Sequence, residues 1–270
     1  MIVQPTPRAE AATIIRNVDH AIAAGVLARA FGNDRFRPSY PAALMAFVAS
    51  NHEEGWRKLD DAPLRNPKTG LPYHLGQTPP EQLILKSVAS PNFNERHHPW
   101  CGLLSSMHSW GLYNGRYGIS DAISIDQRPA AYARRIEQML GDECARQERL
   151  KASLRQDQSM AAWVEPEALF ASYKLLEFFD TLSLWWQMTH HELRERALFT
   201  HVPASVGEDL TLEITPTGPN SARLSPYPFS YSPLRLECRV RVLFPVQKDG
   251  RFWSALASRL ERWEQFELTD

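Results

Sequence analysis

Three histidines and two carboxylates stand on or beside four separate predicted helices. In chain order they are His20, His52, Glu53, His108 and Asp180. Imidazole nitrogens and carboxylate oxygens are ligands that Zn, Fe, Mn and Co accept. The five side chains could therefore hold one or two divalent transition ions. A metal held in this way lowers the pKa of a bound water and supplies a nucleophile near neutral pH.

Asp180 and the His52-Glu53 pair carry most of this interpretation. Asp180 lies in an apolar helical stretch, KLLEFFDTLSLWWQM, where a carboxylate is costly unless a metal, an arginine or a protonated histidine pairs with it. His52 and Glu53 end a predicted helix. Adjacent residues of a regular helix point about 100° apart, so both side chains reach one ion only where the backbone leaves the helix. Acidic residues at a helix C-terminus also oppose the helix dipole unless a cation lies nearby.

Each of these residues has a structural alternative that the sequence leaves open. Asp180 could form a salt bridge with a neighbouring helix, and His108 could be a core histidine with one nitrogen hydrogen-bonded. His20 could be a surface residue of the first turn of its helix. The His52-Glu53 pair could be a solvated acidic helix end. If the side chains of His20, His52, His108 and Asp180 are scattered in the structure, these alternatives are the better explanation.

Other residues near the same segments are candidates for substrate binding and proton transfer. Glu54 could act as a general base or accept a hydrogen bond from a histidine. Arg116 and Tyr113, which follow the His108 helix, could receive an anionic substrate group, since a guanidinium suits bidentate phosphate contact. Trp56 stands beside the proposed site and could contact substrate.

The elements that must position these residues are mainly helical. Helices are predicted over residues 19–29, 41–51, 80–90, 99–109, 128–156, 166–200 and 252–266. A small hairpin is predicted from residues 2–3 and 13–15, and antiparallel strands over 210–218, 222–229 and 234–244. We therefore expect a mainly α (α+β) fold, with a helical body and N-terminal hairpin in residues 1–200. Residues 201–270 would add a small antiparallel β-sheet and a closing helix, packed on the same body as one compact domain.

Composition limits the partners. The chain has 270 residues, and its 30 Lys+Arg and 31 Asp+Glu give a formal net charge of −1. This balance excludes a broadly basic nucleic-acid binder, so we expect a small, anionic substrate; homo-oligomerisation stays open. The most apolar run, residues 175–188, contains Glu177, Asp180 and Gln187, and is too interrupted for a membrane span. Three widely spaced cysteines and the lack of a signal-peptide pattern favour a cytoplasmic protein.

The order His … His-acid … Asp on a helical body resembles the HD-domain metal-dependent phosphohydrolases. Most of the chain also resembles a bacterial family known only as a domain of unknown function, through these segments: NVDHAIAAGVLARAFG, NHEEGWRKLDDAP, NPKTGLP, WCGLLSSMH, FFDTLSL and SPYPF. The resemblance implies an HD-like helical core decorated by a β-sheet. It also places His20, His52, His108 and Asp180 at ligand-type positions. Glu53 departs from both families, which have Asp there, and its longer side chain could coordinate, bridge with altered geometry or lose one metal.

Three functions are compatible with these residues. The first is a metal-dependent hydrolase of a small phosphomonoester or phosphodiester, with one or two Zn, Mn or Fe ions and a metal-activated water as nucleophile. The second is an HD-type di-iron oxygenase that uses the same ligands. The third is a catalytically silent metal- or ligand-binding protein. No P-loop, dinucleotide-binding, Gly-x-Ser-x-Gly or His-Glu-x-x-His motif points to another chemistry.

Overall fold

The computed structural model of the chain describes residues 1–5, 11–120, 124–125, 128–243 and 260–270. Its α-helices are α1 (Asn17–Ala30), α2 (Ala42–Asn51), α3 (Arg57–Asp61), α4 (Pro80–His97), α5 (Pro99–Leu112), α6 (Ala133–Arg155) and α7 (Pro166–Met188). Its strands are β1 (Ile2–Pro5), β2 (Ala12–Ile15), β3 (Ala197–Ser205), β4 (Glu208–Gly218), β5 (Ser221–Ser225), β6 (Leu234–Leu243) and β7 (Leu260–Thr269).

All seven described strands form one mixed sheet in the order β1-β2-β6-β7-β5-β4-β3. The β5–β7 pair is parallel and the other neighbours are antiparallel. The prediction of an HD-like helical bundle with a small antiparallel sheet near the C-terminus is therefore wrong. The sheet is larger than predicted because β1 and β2 join it at one edge, and their pairing with a strand more than 200 residues away leaves no local signal. It also gains β3 at the other edge. The helix predicted over 166–200 is wrong beyond Met188, where α7 ends, and β3 begins at Ala197.

The prediction of a closing helix over residues 252–266 is also wrong for those of its residues that the structure describes. Residues 252–259 lie outside the described residues, and β7 begins at residue 260. Phe266 and Leu268 are buried two residues apart, whereas Trp263 is 67% exposed. This alternation is the pattern of a strand with one covered face.

The main core lies between one face of the sheet and helices α1, α2, α5 and α7. Helix α7 packs on the sheet through aromatic pairs: the Trp186 and Phe266 rings stack at 4.9 Å, and Phe178 meets Phe199 edge-on at 5.6 Å. Gln4 of β1 donates from Nε2 to the Gln187 and Thr189 carbonyls at 3.1 Å, which satisfies acceptors that a helix end leaves free. These contacts with the sheet fix the position of α7, which carries Asp180.

Among the described helices, none has both the length and the apolar character that crossing a bilayer requires.

Helices α1 and α2 cross closely at a glycine. A Cβ atom on Gly25 would lie 1.7 Å from Ser50 Oγ and 2.8 Å from Ser50 Cβ. No larger residue fits there without moving a helix. This close approach matters for the site because α1 carries His20 and α2 ends at His52.

Candidate functional site

The structure brings His20, His52, His108 and Asp180 together in the helical layer. Nε2 of His20 lies 3.0 Å from Asp180 Oδ1, and Nε2 of His52 lies 3.4 Å from the same oxygen. The His52 ring is 5.5 Å from the His20 ring and 5.1 Å from the His108 ring, between centroids. All four side chains are at most 2% exposed. The four side chains are thus adjacent, and His20 is not a surface residue. The salt bridge expected as the alternative for Asp180 is also present, with Arg116. The role of the four residues as metal ligands stays a prediction.

The other nitrogen of each imidazole has its own hydrogen-bond acceptor. Nδ1 of His52 donates to the Ala49 carbonyl at 2.7 Å, and Nδ1 of His108 donates to Glu177 Oε1 at 2.7 Å. Nδ1 of His20 lies 2.7 Å from Gln187 Oε1. With the Nδ1 proton engaged, a neutral imidazole presents its Nε2 lone pair to the centre of the cluster. This orientation is the one that outer acceptors impose on metal-bound histidines.

Asp180 and Glu177 are one helical turn apart on α7 and share one arginine. Arg116 Nη1 donates to Asp180 Oδ2 at 3.0 Å and also to Glu177 Oε2. Arg116 is fully buried, so these charges interact in a region of low dielectric constant. The guanidinium offsets part of the cost of placing two carboxylates inside the protein.

The pKa values follow from burial and these neighbours. Burial raises the pKa of Asp180, but Arg116 and the His20 and His52 rings outweigh burial and hold it well below its usual range. Burial lowers the pKa of His52, but Asp180 and Glu53 reverse this and raise it. Burial holds the pKa of His108 well below its ordinary value. Asp180 is therefore charged and His108 is neutral, whereas the His52 ring has an increased affinity for a proton or another cation.

Arg116 reaches the cluster from an unusual backbone. Arg116 (φ 47°, ψ 45°) and Tyr117 (φ 58°, ψ 29°) both adopt the left-handed region just after α5. A left-handed conformation costs a non-glycine residue of the order of 1–2 kcal/mol. The buried ion pairs of Arg116 are interactions that can offset this strain.

Glu53 lies beside the cluster because the backbone leaves α2 at His52. His52 keeps helical angles, whereas Glu53 has φ −105° and ψ 17° and precedes a 3-10 turn over Glu54–Trp56. One carboxylate oxygen of Glu53 lies within 4.8 Å of a nitrogen of both His52 and His108. Gly55 lets this turn lie directly on α4, since a Cβ there would be 2.2 Å from the Lys86 carbonyl oxygen.

Two cavities flank the cluster. The inner cavity, of about 300 Å³, has His20 and Asp180 of the cluster in its wall. Its polar and aromatic lining includes His20, Glu53, Trp56, Lys86, Arg116 and Asp180. The outer cavity, of about 330 Å³, lies between α7 and β3 and is lined mainly by apolar side chains. Arg116, Leu184 and Met188 line both, so these three side chains form the wall between the two spaces.

The other predicted site residues occupy different surroundings. Trp56 is buried and lines the inner cavity. Glu54 pairs with Arg57 and is not part of that lining. Tyr113 is buried in a separate apolar cluster with residues of α4 and α6. Of the substrate candidates, the structure thus places Trp56 and Arg116 at the cavity and Tyr113 away from it.

Sequence reasoning missed Glu177 and Lys86. Glu177 is three residues before Asp180 on the same helix face, and the argument that a carboxylate in an apolar helix needs a partner applies to both. Lys86 is 4% exposed and its Nζ lies 5.3 Å from the centre of the Trp56 ring. The sequence feature that could have identified Lys86 is that it is the single lysine of the segment ILKSV of α4, between apolar residues.

Among the described residues, three overlapping groups of side chains are compact enough to hold a metal ion: His20-His52-Asp180, His52-Glu53-His108 and His108-Glu177-Asp180. Within each group the ligand atoms lie within 4.8 Å of one another. Nε2 of His108 is buried and has no hydrogen-bond partner among the described residues, which is costly for a polar atom. A divalent transition ion fits this nitrogen and oxygen donor set.

The comparisons with known proteins give a family and no function. No curated protein and no solved structure matches the chain. The model of one family, described as "Protein of unknown function (DUF3891)", matches residues 1–244. The matched region contains the whole His and Asp cluster and all described strands except β7. The chain therefore belongs to the DUF3891 family.

Proposed function

We propose that this protein is a metal-dependent hydrolase of a small phosphomonoester or phosphodiester. The observation that carries the proposal is the convergence of the Nε2 atoms of His20 and His52 on Asp180, with the His108 ring beside that of His52 and each Nδ1 held by an outer acceptor. If Nδ1 of His20 donates to Gln187, its Nε2 lone pair faces a carboxylate oxygen at 3.0 Å. Two electron-rich atoms at this distance need a proton or a cation between them.

His20, His52 and Asp180 are the ligands proposed for the first ion, with His108 and Glu53 available for a second. A divalent ion here would lower the pKa of a bound water and neutralise phosphoryl charge. Zn, Mn and Fe suit the donor set.

The charge of the surrounding residues fits an anionic substrate. The carboxylates of Glu53, Glu177 and Asp180 and the cations of Lys86 and Arg116 leave a formal charge of minus one. One divalent ion converts this to plus one, and a second to plus three. The inner cavity would then attract an anion although the whole protein is nearly neutral.

With one ion bound, Glu53 is free of the metal and is the proton acceptor that we propose. Glu53 and Asp180 carry the carboxylates of the inner cavity lining among the described residues, and Asp180 is committed to Arg116 and the imidazoles. Glu53 is half-buried and borders open space in the cavity, so it can receive a proton from a water held there. Glu54 has a weaker case because its carboxylate pairs with Arg57.

The resemblance to HD-domain phosphohydrolases supports the same reaction class through the order His20, His52-Glu53, Asp180. The support comes from the order of the ligands and not from the fold, whose large mixed sheet is not the one expected. Glu53 in place of Asp is compatible with a role on the cavity side of the cluster, since its longer side chain still reaches the neighbourhood of both His52 and His108.

Metal content and turnover test the proposal together. Protein purified without chelator is analysed for bound metals and assayed with p-nitrophenyl phosphate and bis(p-nitrophenyl) phosphate. We expect Zn, Mn or Fe at one or two ions per chain, with metal-dependent hydrolysis. His52→Ala and Asp180→Ala should lose both metal and activity, whereas His191→Ala, at an exposed position of the same residue type, should keep both.

Equal, sub-stoichiometric metal in wild type, His52→Ala and Asp180→Ala would contradict the metal site. A stoichiometric metal without hydrolysis of either ester would contradict the hydrolase and leave a metal-binding protein. Iron together with oxygen consumption would indicate an oxygenase instead.

A further inference from the structure

Lys86 is a buried cation that the metal cluster does not use. It lies on α4, is 4% exposed and lines the inner cavity. Its ammonium group stands over the Trp56 ring, with Nζ 5.3 Å from the ring centre. Within the described part of the chain, no carboxylate oxygen lies within 4.0 Å of this nitrogen. Lys86 therefore faces the cavity without an ion-pair partner.

An ammonium group in this position is costly to the folded protein. Burial lowers the pKa of Lys86, and the more distant charges of Glu53 and Asp180 act in the opposite direction. The Trp56 ring contributes a cation–π interaction, which offsets only a part of the lost hydration. An anion in the cavity would supply the missing counter-charge.

Arg116, the cation that the sequence indicates for substrate binding, is less suited to this task. Its guanidinium is held by Glu177 and Asp180, so its charge is already compensated by two carboxylates. Lys86 approaches the cavity from a different helix and carries a compact charge with three donors. A tetrahedral oxyanion can accept these donors in many orientations.

We propose that Lys86 and the inner cavity form a binding site for a tetrahedral oxyanion, and that this site receives the phosphoryl group of the substrate. The second part rests on the proposed function, because the metal cluster defines where the chemistry occurs. The first part does not, since anion binding can be measured without turnover. Trp56 positions the lysine by covering one side of its ammonium group.

Calorimetric titration with inorganic phosphate tests the site, with the metal content of every sample measured in parallel. Lys86→Met and Lys86→Gln remove the charge and keep a side chain of similar length. We expect both to bind phosphate at least tenfold more weakly than wild type while retaining the same metal content. Lys151→Met is the matched control, because Lys151 is on α6 and pairs with Glu148 at the surface; its phosphate affinity should be unchanged.

The outcomes separate this inference from the hydrolase proposal. Weaker phosphate binding by the Lys86 variants upholds the oxyanion site even if wild type contains no metal or hydrolyses neither ester. Wild-type protein that binds no phosphate overturns the site, as do Lys86 variants that bind phosphate as tightly as wild type. Circular dichroism checks folding, and if neither variant folds, Lys86 is a structural residue and the inference is wrong.

Discussion

Gly25→Ala is expected to destabilise the protein by forcing apart the two helices that carry His20 and His52. The added Cβ would lie 1.7 Å from Ser50 Oγ, and rotation of the hydroxyl would relieve this contact at the cost of its hydrogen bond to the Ala46 carbonyl. The contact with Ser50 Cβ at 2.8 Å cannot be relieved by rotation, because that atom is fixed to the backbone. A helix must therefore move.

The size of the effect follows from two opposing contributions. Overpacking of a close contact costs about 1–3 kcal/mol, and the backbone-fixed clash favours the upper end of that range. Replacing glycine by alanine inside a helix contributes about 1 kcal/mol in the other direction. We expect a net loss of about 2 kcal/mol in the free energy of unfolding, measured by urea titration of tryptophan fluorescence. The melting temperature should fall by about 4–8 °C.

A double mutant separates the clash from other effects of Gly25→Ala. Ser50→Gly removes both Oγ and Cβ, and by itself costs a few tenths of a kcal/mol as a change of helix propensity. The Gly25→Ala/Ser50→Gly protein lacks the clash and should be about as stable as wild type, which gives a coupling energy of about 3 kcal/mol. If Gly25→Ala is as stable as wild type, or if Ser50→Gly fails to restore it, the contact does not limit the crossing and our reasoning is refuted.

Three further predictions concern the site and its pH dependence. Glu177→Gln should weaken metal binding about 10–100-fold, because Nδ1 of His108 loses its carboxylate acceptor; competition with a chromophoric chelator measures this, and unchanged affinity would contradict it. Burial lowers the pKa of His74 to about 4, so the unfolded chain alone binds this proton between pH 6.5 and about 4, and stability should fall by about 3 kcal/mol as pH decreases through that window. Urea titrations at several pH values should show that the free energy of unfolding falls more steeply with decreasing pH in wild type than in His74→Asn. The same pH dependence in both proteins would contradict the lowered pKa of His74. Chelation of metal should lower the free energy of unfolding by about 2.7 kcal/mol if the ion is present at 100 times its dissociation constant; identical calorimetric scans before and after chelation would count against a bound ion.

Most helices could be predicted because each carries a local signal. Pro99 begins α5 and Pro166 begins α7, both at the first helical position, where a missing N–H costs nothing. The sheet could not be predicted in the same way. Ile14 and Ile15 pair with Arg241 and Val240, more than 200 residues away, and no local pattern specifies such a partner.

The centre of the candidate site could be predicted from the sequence because its polar residues stand at positions where the surrounding helix pattern does not explain them. Asp180 is a charge in an apolar helix, and His52 stands where a helix ends. Arg116 and Lys86 are harder to assign, because the same side chain at the surface would leave an identical sequence signal. Their burial is a consequence of how α4 and α5 pack, which depends on close approaches such as that at Gly102 of α5, where a Cβ would lie 2.7 Å from Glu95 Cα of α4.

The pairing of β1 and β2 with β6 has a consequence for biosynthesis. These two strands emerge from the ribosome long before their partner, which begins at Leu234. At about 5–20 residues per second, the interval is of the order of 10–45 seconds. His20, His52 and His108 are synthesised in the first part of this interval, and Asp180 is synthesised after them. Strands β3 to β6 follow only after α7 is complete. A nascent chain thus exposes apolar helix faces until the sheet can form, and it is in this window that the protein would depend most on chaperones.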